Sequence, residues 1–170
     1  DESEVVSEIP NGMIISNHSY GIPHRNQTTG VYLPGWISGA YIEDSRAWDE
    51  IANLSPYYLP VFSAGNNGTD NGSITPIQVG YDKLVGNKVS KNVLTVAAAN
   101  DAVINGDGTL NSVAIANFSS QGPTDDFRIK PDITGNGVGL LSLGIATNTS
   151  TATMDGTSMA SPNVTGTLTL

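Results

Sequence analysis

Three short segments of the chain are almost unbroken in apolar character. Residues 13–16 (Met-Ile-Ile-Ser) follow a Pro-Asn-Gly breaker, residues 59–64 (Leu-Pro-Val-Phe-Ser-Ala) run into Gly-Asn-Asn-Gly, and residues 93–99 (Val-Leu-Thr-Val-Ala-Ala-Ala) form the third. A strand with one wet face alternates polar and apolar residues. Strands this continuous are buried on both faces, as in a parallel sheet covered by helices. Residues 38–54 carry a helical pattern, with Tyr41, Trp48, Ile51 and Ala52 on one face and Glu43, Asp49 and Glu50 outside it. Strand, helix and strand joined by so long a crossover make a βαβ unit. A second helix is expected to open near Ser158. The pattern predicts an α/β chain with a mostly parallel sheet.

Between these elements the signals are those of loops. Residues 21–35 (GIPHRNQTTGVYLPG) have little periodicity and many breakers, and read as an exposed loop. Residues 105–109 (Asn-Gly-Asp-Gly-Thr) resemble part of a calcium loop in their spaced oxygens. The full twelve-position pattern with its closing Glu is missing, and a tight turn explains the segment.

Composition narrows the function. At 170 residues there is chain for one core and not for two. Asp and Glu total 16 against 7 Lys and Arg, a net charge of −9, which argues against nucleic acid or an anionic membrane as partner. No apolar stretch reaches the roughly 18 residues of a membrane span. There is no cysteine, so disulfides and Cys-ligated zinc are excluded. Polarity comes from Asn, Ser, Thr and Gly, 68 of 170 residues, which suits turns and close backbone approach.

The segment with most chemical content is Gly156-Thr157-Ser158-Met159-Ala160-Ser161-Pro162. A glycine turn here feeds a helix, small residues permit close packing, and Pro162 falls near the first turn, where a missing N–H costs little. A serine at such a helix start lies among unpaired backbone N–H groups that favour developing negative charge. Most helix-starting serines are simply N-caps. A given heptapeptide, however, arises by chance in a chain of this length on the order of once in ten million.

This string resembles the nucleophile segment of the subtilisin-like serine proteases (subtilases, peptidase family S8). Three further segments resemble the family in its order. Ser63-Ala64-Gly65-Asn66-Asn67-Gly68 is similar to the strand-end turn carrying the oxyanion asparagine, which maps to Asn66. Ser16-Asn17-His18-Ser19-Tyr20-Gly21 is similar to the strand end that lines the substrate cleft. Residues 118–123 and 130–133 resemble the connection leading toward the nucleophile. The resemblance implies a serine endopeptidase that forms an acyl-enzyme on Ser158, with Asn66 in the oxyanion hole. It implies Ser19, Tyr20, Gly21, Ser63, Ala64 and Gly65 as substrate-binding positions, polypeptides as substrates, no cofactor or metal site, and a secreted or cell-envelope location. Structural calcium is possible in such proteins but has no complete motif here.

The family's base and its orienting acid have no match. Its Asp-Thr/Ser-Gly and His-Gly-Thr segments do not occur, and both histidines, His18 and His24, fall where the family places no base. Asp155 reads as a solvated or turn-stabilising residue. The resemblance therefore implies that residues 1–170 are a partial subtilase catalytic domain, its oxyanion and nucleophile half. The fold expected is a partial three-layer subtilisin-like one lacking the N-terminal strands. Such a chain is expected to be inactive alone, to need its N-terminal half as partner, and to self-associate through an open edge. A non-catalytic subtilase-like binding or adhesive module is the alternative, and a calcium-binding extracellular module a third reading.

Overall fold

The structure, a computed structural model, describes residues 2–26, 28–70 and 81–170. In chain order its elements are α1 (Glu2–Glu8), β1 (Ile15–His18), α2 (Glu43–Leu54), β2 (Leu59–Ser63), β3 (Leu94–Ala99), β4 (Val103–Ile104), β5 (Leu110–Ser112), β6 (Ile133–Asn136), β7 (Leu140–Leu143), β8 (Thr151–Met154) and α3 (Thr157–Leu168). Strands β1, β2, β3 and β6 form one parallel sheet in that order, with Ile15 opposite Leu59, Val61 opposite Leu94 and Val96 opposite Ile133.

The side-chain alternation of the strands divides the core into two layers. Phe62 joins Trp48 and Ile51 of α2, Val5 of α1, Tyr58 and Val93 on one face. Val61, Val96 and Ala98 meet Ala160 and Val164 of α3 on the other. Helices thus cover both faces, which is why the strand segments read as continuous apolar runs. The predicted parallel α/β fold is the one observed.

Several boundaries moved. The first strand lies at Ile15–His18 rather than 13–16, because backbone pairing with β2 carries it through the polar Asn17 and His18. Helix α2 starts at Glu43 rather than 38, since Gly39 takes a positive φ of 77° and breaks the run. Asp49 is not on the wet face. Its carboxylate is buried and accepts the N–H groups of Lys91 and Asn92 and the Tyr41 hydroxyl, tying α2 to the approach of β3. The 21–35 segment, whose residue 27 lies outside the described residues, is not wholly exposed. His24 is buried within it, and Arg25 bridges to Tyr32. The 105–109 turn joins β4 to β5, with Asp107 Oδ1 accepting from both the N–H and the hydroxyl of Thr109.

Candidate active site

Parallel strands bring their C-terminal ends to one edge of the sheet, the usual place for an α/β site. Past the end of β1 come Ser19, Tyr20 and Gly21, and past β2 come Ala64, Gly65 and Asn66. The N-terminus of α3 meets both. These residues, with Ser63, Thr157 and Ser158, line a single cleft of about 270 Å³. The sequence-predicted site residues are therefore neighbours in space.

The junction is held by specific bonds. Asn66 Oδ1 accepts from the Thr157 N–H (2.9 Å) and from the Thr157 hydroxyl (2.9 Å), while Thr157 Oγ1 accepts from the Gly65 N–H (3.0 Å). With its oxygen doubly engaged, the Asn66 amide is oriented by its network, which leaves Nδ2 as its donor. Ser120, fully buried, fixes the same turn from below. Its Oγ accepts from Asn67 N–H and its N–H donates to Gly65 O.

Gly156 sits at φ 153° and ψ 157°, a backbone state open to glycine. A β-carbon there would lie 3.4 Å from Asn66 Nδ2 and 3.6 Å from Ser158 N. The two nitrogens consequently flank one small volume beside the glycine.

Ser158 Oγ donates to the Ser19 carbonyl at 3.3 Å. In return, Ser19 Oγ donates to the Ser158 carbonyl at 3.0 Å. That second bond follows from Pro162, which lies inside α3, beyond the first turn where the sequence reading set it. Proline lacks the N–H that would have bonded the carbonyl four residues back. That carbonyl belongs to Ser158, and Ser19 takes it up instead, so the proline frees an acceptor that stitches the helix start to the end of β1.

No described histidine or carboxylate hydrogen-bonds to Ser158 Oγ. His18 is on the opposite face of the sheet, stacked on Phe62 at 4.5 Å and bonded to Ser16 and Tyr20; burial lowers its pKa to about 4. His24 lines the cleft but bonds the Lys83 carbonyl at 3.0 Å, and burial lowers its pKa too. Asp155 accepts from the Gly139 N–H at 2.7 Å and steadies the β7–β8 hairpin. Among the described residues no three His, Asp or Glu side chains converge as metal ligands, and no helix is long and apolar enough to cross a membrane.

The sequence profile described as the Subtilase family, peptidase S8, matches residues 1–170. The chain belongs to the subtilase family. This is a family of serine proteases, and the solved structures similar to the chain agree in fold. The self-cleaved protease domain of PatA is 21% identical, with a TM-score of 0.60 over 98% of this chain and 49% of that one. Sphericase is 20% identical with a TM-score of 0.57, covering 98% and 48%. The prenylagaramide maturation protease PagA is 20% identical with a TM-score of 0.54, covering 98% and 47%. The chain spans about half the length of these relatives.

Sequence reasoning left three cleft residues unassigned. Thr157 lay inside the recognised string without a role. Lys83 and Lys88 interrupt the apolar stretch 83–89 (Lys-Leu-Val-Gly-Asn-Lys-Val), and both are buried. A charge within an otherwise apolar run was the available signal.

Proposed function

We propose that this subtilase chain is the oxyanion and nucleophile half of a serine endopeptidase. In this reading Ser158 Oγ bonds to the carbonyl carbon of a peptide, and its proton passes to a general base outside these 170 residues. The Asn66 amide and the Ser158 N–H receive the charged oxygen. The C–N bond then breaks, the amine leaves with a proton, and water releases the acid from the acyl-enzyme. The backbone of Ser19, Tyr20 and Gly21 on one side, and of Gly65 on the other with the buried Ala64 behind it, would flank an extended polypeptide substrate. Among the described residues β1 ends the sheet with an unpaired edge, the natural seat for further strands of the domain.

The observation that carries this reading is the convergence of Ser158, Asn66 and Gly156 on one cleft, at spacings that leave room for an oxyanion. A fluorophosphonate probe incubated with the full-length protein is expected to label Ser158, and Ser158→Ala to abolish the label. The 170-residue chain alone is expected to hydrolyse no peptide ester at a useful rate. An unlabelled full-length protein, or one labelled equally after Ser158→Ala, refutes the assignment.

A further inference from the structure

The cleft holds a feature that general peptide hydrolysis does not require. Lys88, on the single turn of 3-10 helix Gly86–Val89, lines the cleft shared by Ser158 and Asn66 yet is only 5% exposed. Its chain runs between the two substrate-flanking segments. A β-carbon on Gly65 would touch its Cε at 3.7 Å, and one on Gly21 would collide with its Nζ. The absence of side chains at both glycines is what lets the ammonium reach this position.

The ammonium is under-compensated. It donates to the neutral Asn87 Oδ1 at 3.3 Å, and no described carboxylate comes within ion-pair distance. Asp44, on α2, attracts it electrostatically, but the Asp44 carboxylate is spent on the Asn87 N–H. A buried cation without an ion-pair partner is costly, and a ligand carboxylate arriving beside it removes that cost. Lys83, attracted by Asp82 and Asp70, lines the same cleft, so two of the chain's 7 Lys and Arg residues gather here although the net charge is −9.

The position selects which substrate residue would be read. In the protease reading, a peptide whose carbonyl oxygen lies between Asn66 Nδ2 and Ser158 N would have the side chain of that same residue beside the cleft walled by Gly21 and Gly65. We infer that Lys88 is a specificity-determining residue that selects substrates with Asp or Glu on the acyl side of the cleaved bond. This inference rests on the protease reading above.

Burial lowers the Lys88 pKa to about 8, opposed by Asp44. The ammonium therefore persists at neutral pH, and the selectivity it confers fades as the pH rises through 8. The other ionisable groups around it are Asp44 from α2, Lys83 from the 81–85 segment, His24 from the 21–35 loop and Tyr20 past β1, and of these Asp44 is the anion at neutral pH.

The test uses full-length protein and fluorogenic peptides differing only in Glu, Asp, Gln or Leu at that position. Wild type is expected to favour Glu or Asp over Gln by at least about ten-fold in kcat/KM at pH 7, the scale on which a site with a buried polar group rejects a ligand that leaves it unpaired. Lys88→Met is expected to bring the Glu-to-Gln ratio close to one, and the wild-type ratio to fall between pH 7 and 9. Fluorophosphonate labelling of Ser158 runs in parallel. No labelling removes the protease reading and this inference with it. Labelling with equal turnover of the Glu and Gln peptides by wild type overturns the selectivity alone, with no variant needed. A Lys88→Met protein that labels and keeps the preference overturns the role of Lys88.

Discussion

The sharpest perturbation of the site is a single methyl group at Gly156. In Gly156→Ala two effects combine. The backbone at φ 153° and ψ 157° lies where a side chain is strained, at a cost of order 1–3 kcal/mol. The new carbon would also stand 3.4 Å from Asn66 Nδ2 and 3.6 Å from Ser158 N. An oxyanion needs about 2.7–3.1 Å to each donor, so methyl and oxygen compete for the same space. In subtilisin the loss of one such oxyanion donor forfeits roughly 3–4 kcal/mol of transition-state stabilisation, and blocking access to Asn66 is expected to cost about as much. The expected outcome is a loss of at least about a hundredfold in kcat/KM of the full-length protein on a peptide substrate. Gly166→Ala is the control. It lies in the same helix with no atom within 4 Å of its added carbon, and should leave kcat/KM unchanged. If Gly156→Ala folds and keeps kcat/KM within about threefold of wild type, the oxyanion argument is wrong.

Two further outcomes are expected. Thr157→Val keeps shape but removes the hydroxyl that joins Gly65 N–H to Asn66 Oδ1, so it should destabilise by about 1–3 kcal/mol in urea unfolding and lower kcat more than it raises KM; an unchanged kcat would show that the Thr157 N–H suffices to hold the amide. His18 has a folded pKa of about 4 against 6.5 unfolded, so the unfolded chain binds its proton first. Its contribution is complete above pH 6.5 and is lost as the pH falls toward 4. Urea midpoints measured across that window should fall in the wild type and fall less in His18→Phe; parallel curves would contradict the burial of a neutral ring.

The sheet was legible in the sequence because covering both faces leaves strands with no polar alternation, and residues 59–64 and 93–99 carry that signature without interruption. Strand β1 was legible only in part. It carries two adjacent polar residues, the exposed Asn17, which accepts from Ser161 on one face, and His18, buried in an aromatic cage on the other, and polar residues with such tertiary partners look like loop in a hydropathy pattern. Asp49 was misread for the same reason, since its partners are backbone N–H groups more than forty residues away. In the site, Ser158 and Asn66 were legible through a string and a turn. Lys88 was not, because its meaning depends on where two distant glycines leave space.

One residue step along β1 separates structure from chemistry. Successive side chains point to opposite faces, so Asn17 meets Ser161 of α3 and His18 enters the layer of Trp48 and Phe62. The strand ends there, and the next residue, Ser19, bonds both the hydroxyl and the carbonyl of Ser158. A histidine adjacent in sequence to the seam that positions the candidate nucleophile is thereby directed away from it. Register in a parallel sheet is fixed by the buried residues of both faces, and slipping β1 by one residue would put the imidazole against α3 and an amide into the aromatic layer. Neither exchange is tolerable: the cage would lose a ring stacked at 4.5 Å, and Ser161 its acceptor at 2.7 Å. The packing that keeps His18 neutral and buried is thus the same packing that presents Ser19 to Ser158. In the protease reading, the base for Ser158 therefore comes from outside β1.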